Sequence, residues 1–114
     1  MKYLCLVYMQ EKDLDLVPDG DCMAFGASLR KDGRHLAAEA LQGVDTATTV
    51  RVRDGKVSMT DGPYAETKEQ LAGFYLIEAK DLDEAIQVAA KIPPARVGSI
   101  EVRPVRELSA HQPA

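Results

Sequence analysis

Two stretches of this chain are apolar at successive positions and not only at alternate ones. From Lys2 to Met9, Tyr3, Cys5, Val7 and Met9 would line one face of a strand, and Leu4, Leu6 and Tyr8 the other. From Gly73 to Ala79, Phe74 and Leu76 alternate with Tyr75, Ile77 and Ala79. A strand with two apolar faces needs cover on both sides. One layer of helices covers only one of them, so a second layer, such as another subunit, is expected on the other.

The remaining pattern supplies the helices and more strands. Glu11 to Gly20 is polar and contains Pro18 and Gly20, which predicts a loop. Asp19 or Asp21 is expected to cap a helix running to about Lys31, with Cys22, Phe25 and Leu29 at helical spacing. Asp32 and Gly33 end it. His35 to Leu41 is rich in Ala and Leu; helix propensity competes there with an extended path, and the reading is extended and partly buried. Thr48 to Arg53 and Lys56 to Thr60 flank Asp54 and Gly55, a strong hairpin signal because both turn residues need positive φ.

After the strand at Gly73 to Ala79, Asp81 and Glu84 have the spacing of a capping box. Leu82, Ala85, Ile86, Ala89 and Ala90 form one helical stripe, which Pro93 and Pro94 stop. Gly98 to Arg106 alternates, with Ile100 and Val102 inward and Glu101 and Arg103 outward. The result is an α+β chain in the order β-α-β-β-α-β with an extra β-hairpin, a ferredoxin-like arrangement with both helices on one sheet face. Residues 1–108 form the single domain and residues 109–114 a frayed polar tail.

Composition excludes several functions. The net charge is −4 and the basic residues are scattered, so no nucleic-acid footprint is expected. Arg51 and Arg53 alternate with Val50 and Val52, as on the polar face of a strand. Cys5 and Cys22 sit among apolar neighbours and are expected to be buried free thiols. No apolar run approaches the ~18 residues of a membrane span. With no secretory signal read, a soluble cytoplasmic protein is the expectation. His35 and His111 are far apart, so neither a metal site nor a cofactor is expected.

Candidate chemistry concentrates between the hairpin and the next strand, at Asp61, Gly62, Pro63, Tyr64, Ala65, Glu66, Thr67, Lys68 and Glu69. Such a polar segment belongs in a surface loop, where sites are commonly built. Asp61 is read as holding the turn, or as bordering a cleft. Tyr64 is a packed ring or a donor to a ligand. Glu66, Lys68 and Glu69 are a solvated run, or an acid/base cluster in which Lys68 neutralises a developing anion. His35 has the titration range for proton transfer near neutral pH. Tyr75 is a core residue whose hydroxyl could reach a cleft, and Arg51 could bind an anionic ligand.

These residues also carry a resemblance. The run from Thr60 through the Asp61-to-Glu69 segment to Tyr75 resembles the signature of the DGPF subfamily of YCII-related proteins, with Tyr64 where Phe is usual. Residues 1–8, 40–41, 46–55, 92–96 and 99–104 are similar to the rest of that family's pattern, so the likeness covers nearly the whole chain. It implies a homodimer in which two ferredoxin-like sheets pack face to face as a dimeric α/β barrel. It also implies a setting beside extracytoplasmic-function sigma factors, one of which would be a partner. Three functions follow as expectations. The first is an accessory protein that binds an unknown small molecule in a cleft of the barrel through Tyr64, Tyr75 and Arg51. The second is a small lyase or isomerase using Asp61, Glu66, Lys68 or His35. The third is a protein-partner module.

Overall fold

The computed structural model describes residues 1–109, so the expected frayed tail falls almost wholly outside the described residues. β1 (Lys2–Met9), α1 (Asp19–Lys31), β2 (His35–Ala40), β3 (Thr48–Arg53), β4 (Lys56–Asp61), β5 (Gln70–Glu78), α2 (Leu82–Ala89) and β6 (Ser99–Pro104) follow one another along the chain. Four strands form an antiparallel sheet in the order β2-β5-β1-β6, and β3 pairs with β4 in a separate two-stranded sheet. This is the expected ferredoxin-like order with a separate hairpin.

Register sorts the sheet residues onto two faces. Cys5 lies opposite Tyr75 and Val102, and Leu6 opposite Phe74 and Glu101. The first set faces the helices. Tyr3, Cys5, Val7, Met9, Tyr75 and Ile77 are buried there with Leu29 of α1 and Ala85, Val88 and Ala89 of α2. The second set, Leu4, Leu6, Tyr8, Phe74 and Leu76, is half-buried and has no helix over it. The sequence predicted this uncovered face.

Several local readings are corrected. The stretch expected to be a loop holds a 3-10 turn at Glu11–Leu16, and α1 already begins at Asp19. Neither Asp19 nor Asp21 caps α1; Pro18 occupies that position and no side chain accepts a cap bond. Pro fits because its fixed φ suits the extended residue before a first turn. Asp19 and Asp21 fall inside that turn, where their charge still favours the helix dipole. The strand expected from Gly73 begins three residues earlier, at Gln70.

Asp81 does cap α2, accepting the Glu84 N–H at 2.9 Å, while Glu84 accepts the N–H of Lys80, one residue before the cap. The inward stripe of α2 is rotated from the expected one. Ala85, Val88 and Ala89 are buried, whereas Leu82, Ile86 and Ala90 are exposed. Eight residues are about two turns, too few for periodicity to fix the rotation. Cys5 is fully buried and Cys22 only half-buried, against the expectation for Cys22; both are free.

The hairpin turn is as expected, with Asp54 at φ 52° and Gly55 at φ 73°. β3 and β4 stand apart as an arm. Its root is tied to the body by Glu11, whose Oε1 accepts the Val44 N–H at 2.9 Å, and by the Leu41 N–H on the Ala72 carbonyl at 2.8 Å. The described chain is flat, 47 × 44 × 19 Å, with a radius of gyration of 16.2 Å. A compact chain of this length would have about 13 Å.

Candidate functional site

Gly62 builds the turn that opens the signature segment. Its φ of 114° is a conformation that a side chain would strain. Its N–H donates to the Ala47 carbonyl at 2.8 Å, and the Thr49 hydroxyl donates to its carbonyl at 2.9 Å. The Asp61 carboxylate, exposed at the end of β4, makes no hydrogen bond among the described residues. Backbone and Thr49 therefore hold this turn.

Further along, Tyr64 is 82% exposed, with the Arg51 guanidinium 5.8 Å from its ring centroid. This cation–π contact places both residues on the polar side of the arm. Glu66 is exposed. The Thr67 hydroxyl donates to the Glu69 carbonyl, and the Gln70 amide donates to the Thr67 carbonyl at 2.7 Å. These bonds fold the end of the segment onto the start of β5. Glu69 Oε1 then accepts the Ser99 hydroxyl at 2.7 Å, tying the segment to β6.

At that junction the uncovered sheet face ends in a shallow, open depression. Tyr8 and Gln10 enter it from the end of β1, and Thr67, Lys68 and Glu69 from the signature segment. Ser99, Ile100 and Glu101 enter from β6. The depression sets a tyrosine ring, an amide, two aliphatic hydroxyls, an ammonium and two carboxylates around a half-apolar floor. Glu101 is already paired with Arg103 and Glu69 is bonded to Ser99, whereas the Lys68 ammonium meets no carboxylate among the described residues. Lys68 is thus the charge available to an anionic group.

The other candidates lie elsewhere. His35 is half-buried at the start of β2, 3.5 Å from Arg30 Nη1. It pairs with Ile77, seven residues along β5 from Gln70, or roughly 23 Å at strand rise. Tyr75 is on the helix side. Its ring meets Phe25 edge-on at 5.3 Å and its hydroxyl donates to the Cys22 carbonyl at 3.4 Å. Burial pushes the Tyr75 hydroxyl up to about 12, and the Cys5 thiol up to about 11. Burial also raises the Cys22 thiol. No ring contact joins Tyr75 to Tyr64. Among the described residues, no three His, Cys, Asp or Glu side chains converge as metal ligands. No helix there is long and apolar enough to cross a membrane.

Sequence reasoning missed Tyr8, Gln10, Ser99 and Glu101. One signal was available: Tyr8 is the polar-tipped member of an otherwise apolar face, and Gln10 directly follows its strand. Ser99 is brought to Glu69 only by the register of β6.

An antiparallel sheet with two helices on one face, a bare opposite face and a polar loop at its end defines a ferredoxin-like α+β domain. Residues 1–109 match the YCII-related domain, and the chain belongs to that family. It is 51% identical over 61 residues to an uncharacterised protein of Rhizobium meliloti (strain 1021), a match covering 52% of this chain and 49% of the relative. The match thus spans about half the relative's length. The fold is also similar to that of 5-chloro-2-hydroxyhydroquinone dehydrochlorinase from Burkholderia phenoliruptrix, solved in complex with 2,5-dihydroxybenzoquinone. That likeness has a TM-score of 0.60 at 14% identity and covers 93% of this chain and 94% of the other. At this identity it is a likeness of fold alone.

Proposed function

We propose that this YCII-related protein, of the DGPF subfamily, is a homodimer that binds a small molecule where the signature segment meets the open sheet face. The observation that carries this reading is the depression between Tyr8, Lys68 and Ser99. It joins a few polar groups to an apolar surface, the usual chemistry of a ligand pocket. In one copy it is open. Packing Leu4, Leu6, Phe74 and Leu76 against the same face of a second copy would enclose it. Such burial stabilises by about 25 cal/mol per Å² of apolar area, before association costs. A two-fold pair is the simplest arrangement.

The ligand class that fits is a small planar or aromatic molecule with oxygen substituents. Tyr8 supplies a ring and Lys68 a cation for an ionised oxygen. The quinone held by the structural neighbour supports this class. The spread of Asp61, Glu66, Lys68 and His35 favours binding over acid–base catalysis, because His35 lies far along the sheet from Lys68. The sigma-factor partner that the sequence resemblance implies belongs to this proposal as its regulatory side.

The test is calorimetric titration with 2,5-dihydroxybenzoquinone, together with native mass spectrometry of the purified protein. Saturable binding is expected, weakened about tenfold by Lys68→Ala and unchanged by His35→Ala. An empty protein that also ignores the quinone would overturn the reading.

A further inference from the structure

The signature segment is tied to the sheet on both sides of β1. This strand lies between β5 and β6, so its two neighbours run roughly 10 Å apart. Tyr8 of β1 pairs with Leu71 of β5 on one side and with Ser99 of β6 on the other. Residues directly opposite one another share a face, and so do residues two apart along a strand. Glu69, two residues before Leu71, therefore leaves the sheet on the Tyr8 side. Its Oε1 accepts the Ser99 hydroxyl at 2.7 Å. That bond spans the end of β1, from the start of β5 to the start of β6.

The other bonds of the segment's end are local. The Thr67 hydroxyl donates to the Glu69 carbonyl and the Gln70 amide to the Thr67 carbonyl, so both stay within residues 67–70. Lys68 stands between these anchors, exposed, and its ammonium meets no carboxylate among the described residues. Its place at the depression is set by the backbone on either side of it, and Ser99 fixes Glu69 from the far side of β1.

A missing side chain lets Ser99 reach that position. A Cβ on Gly98 would overlap the Tyr8 carbonyl oxygen and stand 3.0 Å from Met9 Cγ. The Gly98 N–H donates to the Pro94 carbonyl at 2.8 Å, which fixes the entry into β6. This close backbone approach sets Ser99 beside Tyr8.

We infer that Ser99 is a positioning residue, brought into place by Gly98: it holds Glu69 across β1 and so sets the Lys68 ammonium at the depression. The inference rests on the ligand site proposed above and adds the residue that orders its cation. A segment ordered before the ligand arrives loses less freedom on binding, so affinity is higher. The effect of Ser99 on binding passes through Lys68.

A double-mutant cycle in calorimetric titration with 2,5-dihydroxybenzoquinone tests it. Ser99→Ala is expected to weaken binding about threefold in the parent and to change nothing in a Lys68→Ala protein. Ser99→Thr keeps the hydroxyl and should bind within about twofold of the parent. NMR relaxation of the backbone amides without ligand gives a second reading. Order parameters at Lys68 and Glu69 should fall from about 0.85 to below about 0.6 in Ser99→Ala, and those of β1 and β5 should not move. An equal loss of affinity with and without Lys68 overturns the inference, since Ser99 would then act on the ligand or on the whole fold. So does a Ser99→Ala protein with the parent's affinity or the parent's order parameters. Gly98→Ala should lower the same two order parameters, and a variant that keeps them overturns the role of Gly98. If the parent ignores the quinone, the ligand reading falls and relaxation alone decides the tie. Unchanged order parameters then overturn it, and the fall upholds Ser99 as the residue that orders Lys68.

Discussion

The sheet strands β1 and β5 are apolar at successive positions and the β3–β4 arm at alternate ones, and their apolar residues end in opposite environments. Ile77 in the sheet is wholly buried, whereas Met59 in the arm is 73% exposed. The difference in burial comes from what covers each strand. In the sheet, α1 and α2 return over one face after each crossover; the arm is a hairpin with no helix to return. Alternation therefore specifies a strand with a buried side but not the surface that buries it.

The largest test of this contrast is truncation in both places. Ile77→Ala should cost about 2–5 kcal/mol of unfolding free energy in urea melts, since it empties a filled core site. Val57→Ala should cost less than about 0.5 kcal/mol at protein concentrations too low for association. Equal losses at low concentration would show that the arm is packed within its own chain, and the contrast would break.

High pH sharpens the comparison, because the raised groups are all on the helix side of the sheet. Cys5 is held at about 11 against an ordinary 9, and Tyr75 at about 12 against 10. Between those values the unfolded chain loses the proton and the folded chain keeps it. Stability is therefore full below about pH 9 and falls as pH rises through 11. A single such proton contributes up to about 1.4 kcal/mol per pH unit. Cys5→Ala should flatten the fall measured by denaturant melts between pH 9 and 11, and an unchanged slope would refute the assignment. Cys22, half-buried, should also react with a thiol reagent before Cys5 does.

Removing the α2 cap should act on the covered side alone. Asp81→Ala is expected to cost about 1 kcal/mol and to leave the arm's protease sensitivity as it was. The smallest effects belong to the signature segment and the arm. Arg51→Ala should cost about 0.5 kcal/mol through loss of the exposed contact with Tyr64. Asp61→Asn should leave the melting temperature within error, because its carboxylate holds no bond in this structure. A loss above about 1 kcal/mol in Asp61→Asn would restore it as the anchor of the turn.

Much of the fold was legible because its signals are local. Asp54 and Gly55 impose a turn by backbone sterics, Asp81 caps a helix three residues from its partner, and the short unbroken apolar run from Tyr3 to Met9 marks a strand. The doubly apolar strands even announced that one sheet face would lack a helix. The rotation of α2 was not legible, since two turns carry too little periodicity, and neither was the Pro18 start of α1. The site was half legible. Lys68 stood in the segment that sequence singled out, but Tyr8, Gln10, Ser99 and Glu101 come from strands that are remote in sequence. Residues distant along the chain become neighbours only when register is set, and register is fixed by the packing of the whole sheet. The sequence alone thus determined the main strands and helices, their order and an apolar sheet face without a helix. Tertiary structure decided that Tyr75 turns into the core while Lys68 shares an open depression with Tyr8 and Ser99, because strand pairing assigns each side chain to a face and each strand end to its neighbours.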